Sequence, residues 1–413
     1  MPRVFFNIAV LAVVLAFPGC ATYSLSVGNV ETATANRDLD GAVKYLDNLK
    51  LGGGDEALLH LNKGTLLRLQ GNYAESNRHF DAAKSLMERF NAISVTEQAA
   101  SIVVNDTMKA YEGLPSEQLM VYAFEALNYL QSGDVEGAAV EARQFDVKQR
   151  LIAEKNNAKY LSGAFVRYLD SMVYEAAGEK DEARIEMENA VAGYKAQNSG
   201  FPVPKGLMDD LKRRSEGKSA PSEAVFILQN GLGPSLNEVV IRVANPNPQN
   251  GSAIFSLAVP SLEKRSVPVA RIVLSSGAYS TTSEVVEDVN DIAEKSLKDR
   301  LPVIIARGVA RMVAKNVAVT EAKKKGGQLA ALFANIVTTV SERADTRSWS
   351  LLPGNILMAR LPLPAGTHDL TATYYSASGN FLGTHEFKDV VVKSGKKAFV
   401  SDYYLNPPSS RAQ

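Results

Sequence analysis

The pattern of hydrophobic and polar positions divides the chain into two halves. Up to about Gln197 the sequence is rich in Ala, Leu, Glu and Lys with few prolines, which is typical of helices. From about Glu223 onward it is rich in Val, Thr, Pro and Gly, with the alternating positions of strands. The chain is therefore predicted to be α+β, with a helical domain at 36–197, a linker carrying one short helix at 198–222, and a β-rich domain at 223–405.

Three glycines in the helical half share one sequence environment. Gly71, Gly133 and Gly178 each have a small residue seven positions before them and another five positions after them. A glycine can end the first helix of a hairpin in the left-handed conformation, and small residues let two helices approach where they cross. The pattern predicts three helical hairpins whose crossing residues are Gly64 and Ser76, Ala126 and Ala138, and Ser171 and Ala183.

This pattern resembles the tetratricopeptide repeat, with units at about Leu58–Arg89, Met120–Leu151 and Phe165–Lys195. The glycines lie 62 and 45 residues apart (133 − 71 and 178 − 133), whereas tandem repeats would be about 34 apart. A generic helical bundle is the alternative. The resemblance implies a concave groove that takes a partner, unless the inserted segments or the C-terminal half fill it. The matching positions are Leu61, Thr65, Arg68, Ala123, Leu127, Leu130, Tyr168, Met172 and Glu175.

The second half predicts eight strands and a helical insertion at about 287–343. The strands fall at 224–229, 238–243, 254–259, 269–274, 356–361, 368–375, 387–392 and 398–403, and a small antiparallel sandwich or barrel would bury their faces. In the insertion, Pro302 can start a helix, and Gly326-Gly327 should break it before a second helix.

The second helix of the insertion has an apolar face, made by Leu329, Leu332, Phe333, Ile336, Val337 and Val340. Burial between the domains is favoured for this face, and a partner or self-association surface and membrane contact are the alternatives. The helix before it carries Arg307, Arg311 and Lys315 four residues apart. A solvated face is the favoured interpretation of this basic stripe, and contact with anionic lipid heads or an acidic partner is the other.

The N-terminus has the layout of a bacterial lipoprotein signal. Arg3 is followed by an apolar run from Val4 to Phe17 and then by Cys20, the only cysteine in the chain. The run is too short to span a membrane as a helix. Ordinary secretion and an uncleaved anchor are the alternatives. Residues 1–19 are predicted to be the signal peptide and 20–35 a tether.

The resemblance to lipoproteins implies that Cys20 carries a diacylglycerol and an acylated amine as the first mature residue. Three acyl chains would hold the protein firmly on the membrane. Ala21 at the following position favours retention in the outer membrane, on its periplasmic face.

Net charge and the absence of known motifs argue against several classes of function. The chain has 45 basic and 45 acidic residues, which argues against a nucleic-acid-binding protein. The sequence contains no phosphate-binding loop, nucleophile elbow or zinc-helix motif, so neither an enzyme nor a cofactor or metal is predicted. The four histidines are His60, His79, His368 and His385. The last two have similar sequence contexts, but a hairpin turning near Ser378-Gly379 would not set them opposite one another, so they are not expected to converge.

The whole arrangement, with Asp345-Thr346-Arg347-Ser348-Trp349 before Leu352-Pro353, resembles a family of proteobacterial outer-membrane lipoproteins with tetratricopeptide-like repeats. The expected function is a non-enzymatic adaptor or scaffold that binds a protein partner in the periplasm or outer membrane and is held there by lipidated Cys20. The alternatives are a structural subunit of an envelope assembly that self-associates, a regulator of cell-wall synthesis and, last, a cell-wall-active enzyme.

Overall fold

The computed structural model describes residues 27–49, 54–96, 110–156, 161–197, 200–244, 254–340 and 343–405. The predicted signal peptide and Cys20 lie outside the described residues. So do the side chains of Lys315 and of the predicted apolar face between Leu329 and Val340. In the described part of the chain, no helix is both long enough and apolar enough to cross a bilayer.

The helices confirm a helical N-terminal region. In chain order they are α1 (Gly28–Ala35), α2 (Leu39–Asp47), α3 (Glu56–Leu69), α4 (Tyr73–Thr96), α5 (Pro115–Ser132), α6 (Val135–Asn156), α7 (Ala164–Ala177), α8 (Lys180–Gln197), α9 (Lys205–Ser215) and α10 (Val289–Val340). Helix α9 is the short helix predicted within the linker.

The three predicted hairpins are present as α3–α4, α5–α6 and α7–α8. Gly71, Gly133 and Gly178 have φ angles of 79°, 82° and 84°, so each turn uses the left-handed conformation that glycine adopts without steric cost. The predicted crossing residues are buried. In the first hairpin the Ser76 hydroxyl donates to the Gly64 carbonyl at 2.7 Å, which shows how close the two backbones come.

Within the described residues of the C-terminal half, the strands form three sheets. They are β1 (Glu223–Asn230), β2 (Ser235–Ala244), β3 (Ile254–Glu263), β4 (Arg271–Ser276), β5 (Tyr279–Thr282), β6 (Glu284–Asp288), β7 (Asn355–Pro362), β8 (Gly366–Tyr375), β9 (Phe381–Val392) and β10 (Lys397–Tyr404). The sheet orders are β10-β1-β7-β6, β2-β3 and β5-β4-β8-β9.

The prediction of wholly antiparallel strands is wrong for one pair. Strands β1 and β10 are parallel, with Glu223 opposite Lys397. Parallel neighbours become possible because β10 comes last in the chain and reaches the free edge of β1 after a long connection. Strands β5 and β6 were not predicted, since Tyr279–Thr282 is short, polar and mostly exposed.

Strand β1 is buried on both faces and joins the two halves of the molecule. Its side chains alternate, as in any strand. Phe226 packs in a cluster with Ile272 of β4 and Leu370 of β8. Val225 and Ile227 belong instead to a core that contains the hairpin helices. The two predicted domains therefore share one continuous hydrophobic core.

Two details of the predicted insertion are wrong. Helix α10 begins at Val289, so Pro302 lies inside it, and the helical backbone continues through Gly326 and Gly327. The helix nevertheless changes direction. Gly308 lies against Leu257 of β3, while the Ala344 amide donates to Glu238 of the adjacent strand β2 at 2.7 Å.

A straight helix would place Val340 about 48 Å beyond Gly308. The four residues from Val340 to Ala344 can span at most about 14 Å. That is too short for Ala344 to reach Glu238 of β2 from the end of a straight helix. The axis of α10 must therefore turn back between Gly308 and Val340, a segment that contains the predicted break.

The predicted tether is partly folded. Helix α1 occupies Gly28–Ala35 and packs through Val30, which is fully buried, into a cluster with Leu46, Leu232 and Leu351. Glu31 forms an ion pair with Arg265 at 2.7 Å. The end of the chain that follows Cys20 is thus fixed to the C-terminal half from Val27 onward.

Candidate functional site

The structure fills the predicted groove with the chain's own C-terminal half. Eight of its nine residues are buried, and the ninth, Glu175, is partly buried. The prediction that this groove is open to a separate partner is therefore corrected, because the groove is already occupied. The residues concerned are Leu61, Thr65, Arg68, Ala123, Leu127, Leu130, Tyr168, Met172 and Glu175.

The segment between α10 and β7 occupies the first part of the groove. The Trp349 indole lies between Phe80 and Phe124, with ring centroids 5.8 and 5.6 Å away, and its N–H donates to the Thr65 hydroxyl at 3.0 Å. The Trp349 backbone amide donates to Glu117 at 2.7 Å. A fully buried tryptophan whose polar hydrogen is satisfied contributes several kcal/mol, so this contact is a permanent part of the core.

A group of buried ion pairs, which we call the ionic layer, covers the other end of the groove. Arg360 of β7 pairs with Asp210 of α9 at 2.7 Å and with Glu223 of β1 at 2.6 Å. It also donates to the Tyr168 hydroxyl at 2.9 Å. Burial acts to raise the pKa of Asp210, but Arg360 overrides it and holds that pKa below its ordinary value. Each buried charge is compensated, so removing one partner would leave the others unpaired.

Glu175 belongs to the same layer. Its carboxylate accepts from Lys397 of β10 and from Arg213 of α9, the latter at 2.6 Å. Burial favours the neutral acid, yet the two cations hold the pKa of Glu175 below its ordinary value. The sequence could not reveal this role, because the partners lie 38 and 222 residues away along the chain.

A cleft of about 650 Å³ lies beside this layer, lined by parts of α9, β5, β6 and β7. Its charged residues Asp210, Glu223 and Arg360 are bound to one another. Glu284, another lining residue, accepts from the backbone amides of Lys205 and Gly206 at the start of α9. These groups already serve the fold, so the cleft is a weaker candidate for a binding site than the pocket described next.

A second pocket, of about 130 Å³, collects five arginines. Three of them, Arg300, Arg307 and Arg311, follow one face of α10, with Leu297 before them and Ile304 between the first two. The spacing of three and four residues places all five on one stripe of a helix. The other walls come from the segment after α10, the segment before α5, and the β2–β3 hairpin. The full basic set is Arg300, Arg307, Arg311, Arg343 and Arg347.

The five arginines differ in how their charge is used. Arg347 is buried and pairs with Asp345 at 2.7 Å and with Asp55 at 2.9 Å. Within the described residues, no ion pair joins Arg300, Arg307 or Arg343 to a carboxylate. The pocket therefore keeps a net positive charge, although Glu112 and Asp345 also line it. This is the chemistry of an anion-binding site.

The sequence revealed only part of this pocket. Arg307 and Arg311 were noted as a basic stripe, for which a solvated face was favoured, but Arg311 is only 4% exposed. The signal that could have found Arg300 is its place seven residues before Arg307 on the same helical stripe. Nothing local connects these residues with Arg343 and Arg347, which follow the turn of α10.

Three carboxylates converge on the hairpin helices without making an open metal site. One oxygen each of Asp81, Glu125 and Glu141 lie within 4.8 Å of one another. The Lys84 ammonium already contacts all three, at 3.0, 2.6 and 2.9 Å. Burial raises the pKa of Glu125 well above its ordinary value. The Lys84 ammonium therefore occupies the position that a metal ion would take.

The histidines form two separate pairs of contacts. His60 and His79 meet through their Nδ1 atoms at 2.8 Å, and burial lowers the pKa of both. His385 Nδ1 lies 2.7 Å from Asp402, which also accepts from the Tyr374 hydroxyl at 2.6 Å and from Arg37 at 3.3 Å. His368 is opposite Val390 in the β8–β9 pairing, away from His385.

No family model, curated protein or solved structure matches this chain.

Proposed function

We propose that this chain is a non-enzymatic adaptor or scaffold, anchored by lipidated Cys20 on the periplasmic face of the outer membrane, where it binds a protein partner. The observation that carries the proposal is a row of exposed apolar side chains on α6. Val140, Val147 and Leu151 are 48, 54 and 59% exposed. We call these three residues the α6 row.

The α6 row has the geometry of a partner-binding face. Its members are seven and four residues apart, which places them on one side of the helix. The opposite side, with Ala138, Ala142 and Phe145, is buried in the shared core. Since these residues are about half exposed, covering each would stabilise a complex by about 1 kcal/mol. Arg143 and Arg150 flank the row and would supply a polar rim.

The finer features of the fold support the choice of this face. We interpret the three hairpins as tetratricopeptide-like units and the two four-stranded sheets as a sandwich. In such an array the second helix of each hairpin lies on the outer face. Because the concave side is filled internally, the outer faces of α4, α6 and α8 are what the array offers to another protein. Ile185 of α8, 45% exposed, extends the apolar surface.

The proposal is tested by photocrosslinking in intact cells. A photoreactive amino acid is placed at position 147, at position 151 and, as the matched control, at Val240. Val240 is a valine of β2 in the C-terminal half, and it is 61% exposed. We expect one envelope protein to be crosslinked from positions 147 and 151 and not from position 240. In a Cys20→Ala background the crosslink should disappear.

A second arm of the experiment introduces a negative charge into the α6 row. Val147→Glu should abolish the crosslink from position 151, because a buried unpaired carboxylate is costly, whereas Val240→Glu should not. Crosslinks only between copies of this chain would favour the structural, self-associating alternative. A partner belonging to the cell-wall synthesis machinery would favour the regulator. The same products from all three positions would contradict a specific adaptor.

A further inference from the structure

We propose that the arginine-lined pocket binds the phosphate group of an anionic lipid in the membrane that anchors the chain. This inference rests on the proposed lipid anchor, and it adds a second, charge-based contact with the membrane. The pocket is the space of about 130 Å³ between α10, the segment after it, and the β2–β3 hairpin.

The charges of the pocket fit a phosphate. Arg300, Arg307 and Arg343 make no ion pair with any described carboxylate, so three guanidinium groups can turn to an incoming anion, although the charge of Arg300 also acts on the buried Glu117 carboxylate. Guanidinium groups bind phosphate oxygens in pairs of parallel hydrogen bonds, which a lysine cannot do. Arg347 is already neutralised by Asp345 and Asp55, and it serves as a fixed wall.

The remaining lining fits the rest of a lipid headgroup. Apolar residues stand beside the arginines, so the pocket is polar on one side and apolar on the other. These residues are Leu236, Ala258, Pro260, Leu297 and Ile304. A volume of this size would hold several water molecules and therefore has room for a phosphate ester with part of its glycerol. A bare inorganic anion would leave the apolar wall unused.

The position of the pocket also fits a ligand in the membrane. Cys20 precedes Val27, the first described residue, by seven positions, a reach of at most about 25 Å. Helix α1 begins directly afterwards, and its Glu31 is paired with Arg265 at 2.7 Å. The lipid anchor therefore keeps this end of the molecule close to the bilayer surface.

Arg265 connects α1 to the pocket. It donates to the Gly233 carbonyl, and to the Ser350 carbonyl at 2.8 Å. Leu236 and Arg347, which line the pocket, are each three residues from one of those carbonyls, or about 10 Å of extended chain. The pocket thus lies at the end of the molecule that the anchor holds near anionic headgroups.

The test measures vesicle binding without the anchor. The mature chain with Cys20→Ala is mixed with vesicles of phosphatidylcholine alone and of phosphatidylcholine with phosphatidylglycerol, and the bound fraction is measured by sedimentation. The pocket variant is Arg300→Gln/Arg307→Gln/Arg343→Gln. The matched control is Arg78→Gln/Arg89→Gln/Arg184→Gln, which removes the same charge from exposed arginines on the hairpin helices.

We expect the parent and the control to bind the anionic vesicles only, and the pocket variant to bind about fivefold more weakly for each removed arginine. Binding should fall as salt is added. Inorganic phosphate and glycerol phosphate, titrated by calorimetry, form the second arm. Weak binding of these soluble anions, combined with pocket-dependent vesicle binding, supports the lipid assignment.

Two results would overturn the proposal. If the pocket variant and the control bind vesicles equally, the pocket is not the lipid site. If soluble phosphates bind in a pocket-dependent way but vesicles do not, the ligand is a soluble phosphate compound. Neither result bears on the anchor, which is read independently from the mass of the N-terminal peptide beginning at Cys20.

Discussion

Glu287, near the end of β6, is a carboxylic acid buried at the junction of the two halves, with 2% of its surface exposed. Burial raises its pKa to about 8, and the nearby Asp288 carboxylate acts in the same direction. The Asp288 amide donates to it at 3.2 Å, which offsets the effect only in part. At this scale the environment, and not the residue type, decides the charge of the side chain.

The stability of the protein should therefore depend on this one group. Since the pKa of Glu287 is about 8 in the folded chain and about 4.5 unfolded, the folded state holds more protons between those values, and stability falls as pH rises through that window. Glu287→Gln should remove this loss of folding stability with rising pH. The variant should therefore be more stable than the parent at pH 8 by a few kcal/mol. Urea unfolding at pH 5 and pH 8 measures this. The exposed-site variant Glu182→Gln should follow the parent, and parallel profiles for all three proteins would refute the assignment.

At the scale of single elements, the hairpins show which sequence signals were sufficient. The left-handed glycines and the small crossing residues are local in the chain, and they located all three hairpins correctly. The break predicted at Gly326-Gly327 is wrong, since the helical backbone of α10 continues through both glycines. No local signal predicts the pairing of strand β1 with strand β10, since a parallel pair depends on where a distant segment of the chain returns.

Gly64 provides the test of the hairpin crossing. A Cβ at this position would lie 2.7 Å from the buried Phe80 ring, so Gly64→Ala should destabilise the protein by about 1–3 kcal/mol through overpacking. Gly28→Ala, in a helix with open space around the new methyl group, should be neutral or slightly stabilising. The midpoints of urea unfolding compare the two. Equal effects would mean that the helices do not cross at Gly64.

At the scale of the whole molecule, the two predicted domains share one hydrophobic core, and we expect them to unfold as one unit. Trp349, the only tryptophan, comes from the C-terminal half and is fully buried among the hairpin helices. Arg360 connects α9 and β1 through buried ion pairs and α7 through the Tyr168 hydroxyl. Separating the halves would expose the indole and leave these charges unpaired, so undocking and unfolding should occur together.

Two spectroscopic signals test this expectation. Tryptophan fluorescence reports the docking of the halves, and far-ultraviolet circular dichroism reports mainly the helices. Both should give the same urea midpoint and slope, as expected for a single cooperative transition. A fluorescence change at clearly lower urea than the dichroism change would instead mean two independent domains.

The sequence by itself determined the features that depend on neighbouring residues: the helical and strand-forming halves and the hairpins at Gly71, Gly133 and Gly178. It could not determine what fills the groove or that Arg300 and Arg343 line one pocket. Those outcomes depend on residues that are far apart in the chain and meet only after α10 turns back and the C-terminal half docks on the hairpins. Tertiary structure decided them, because burial and ion pairing act on positions in space and not on positions in sequence.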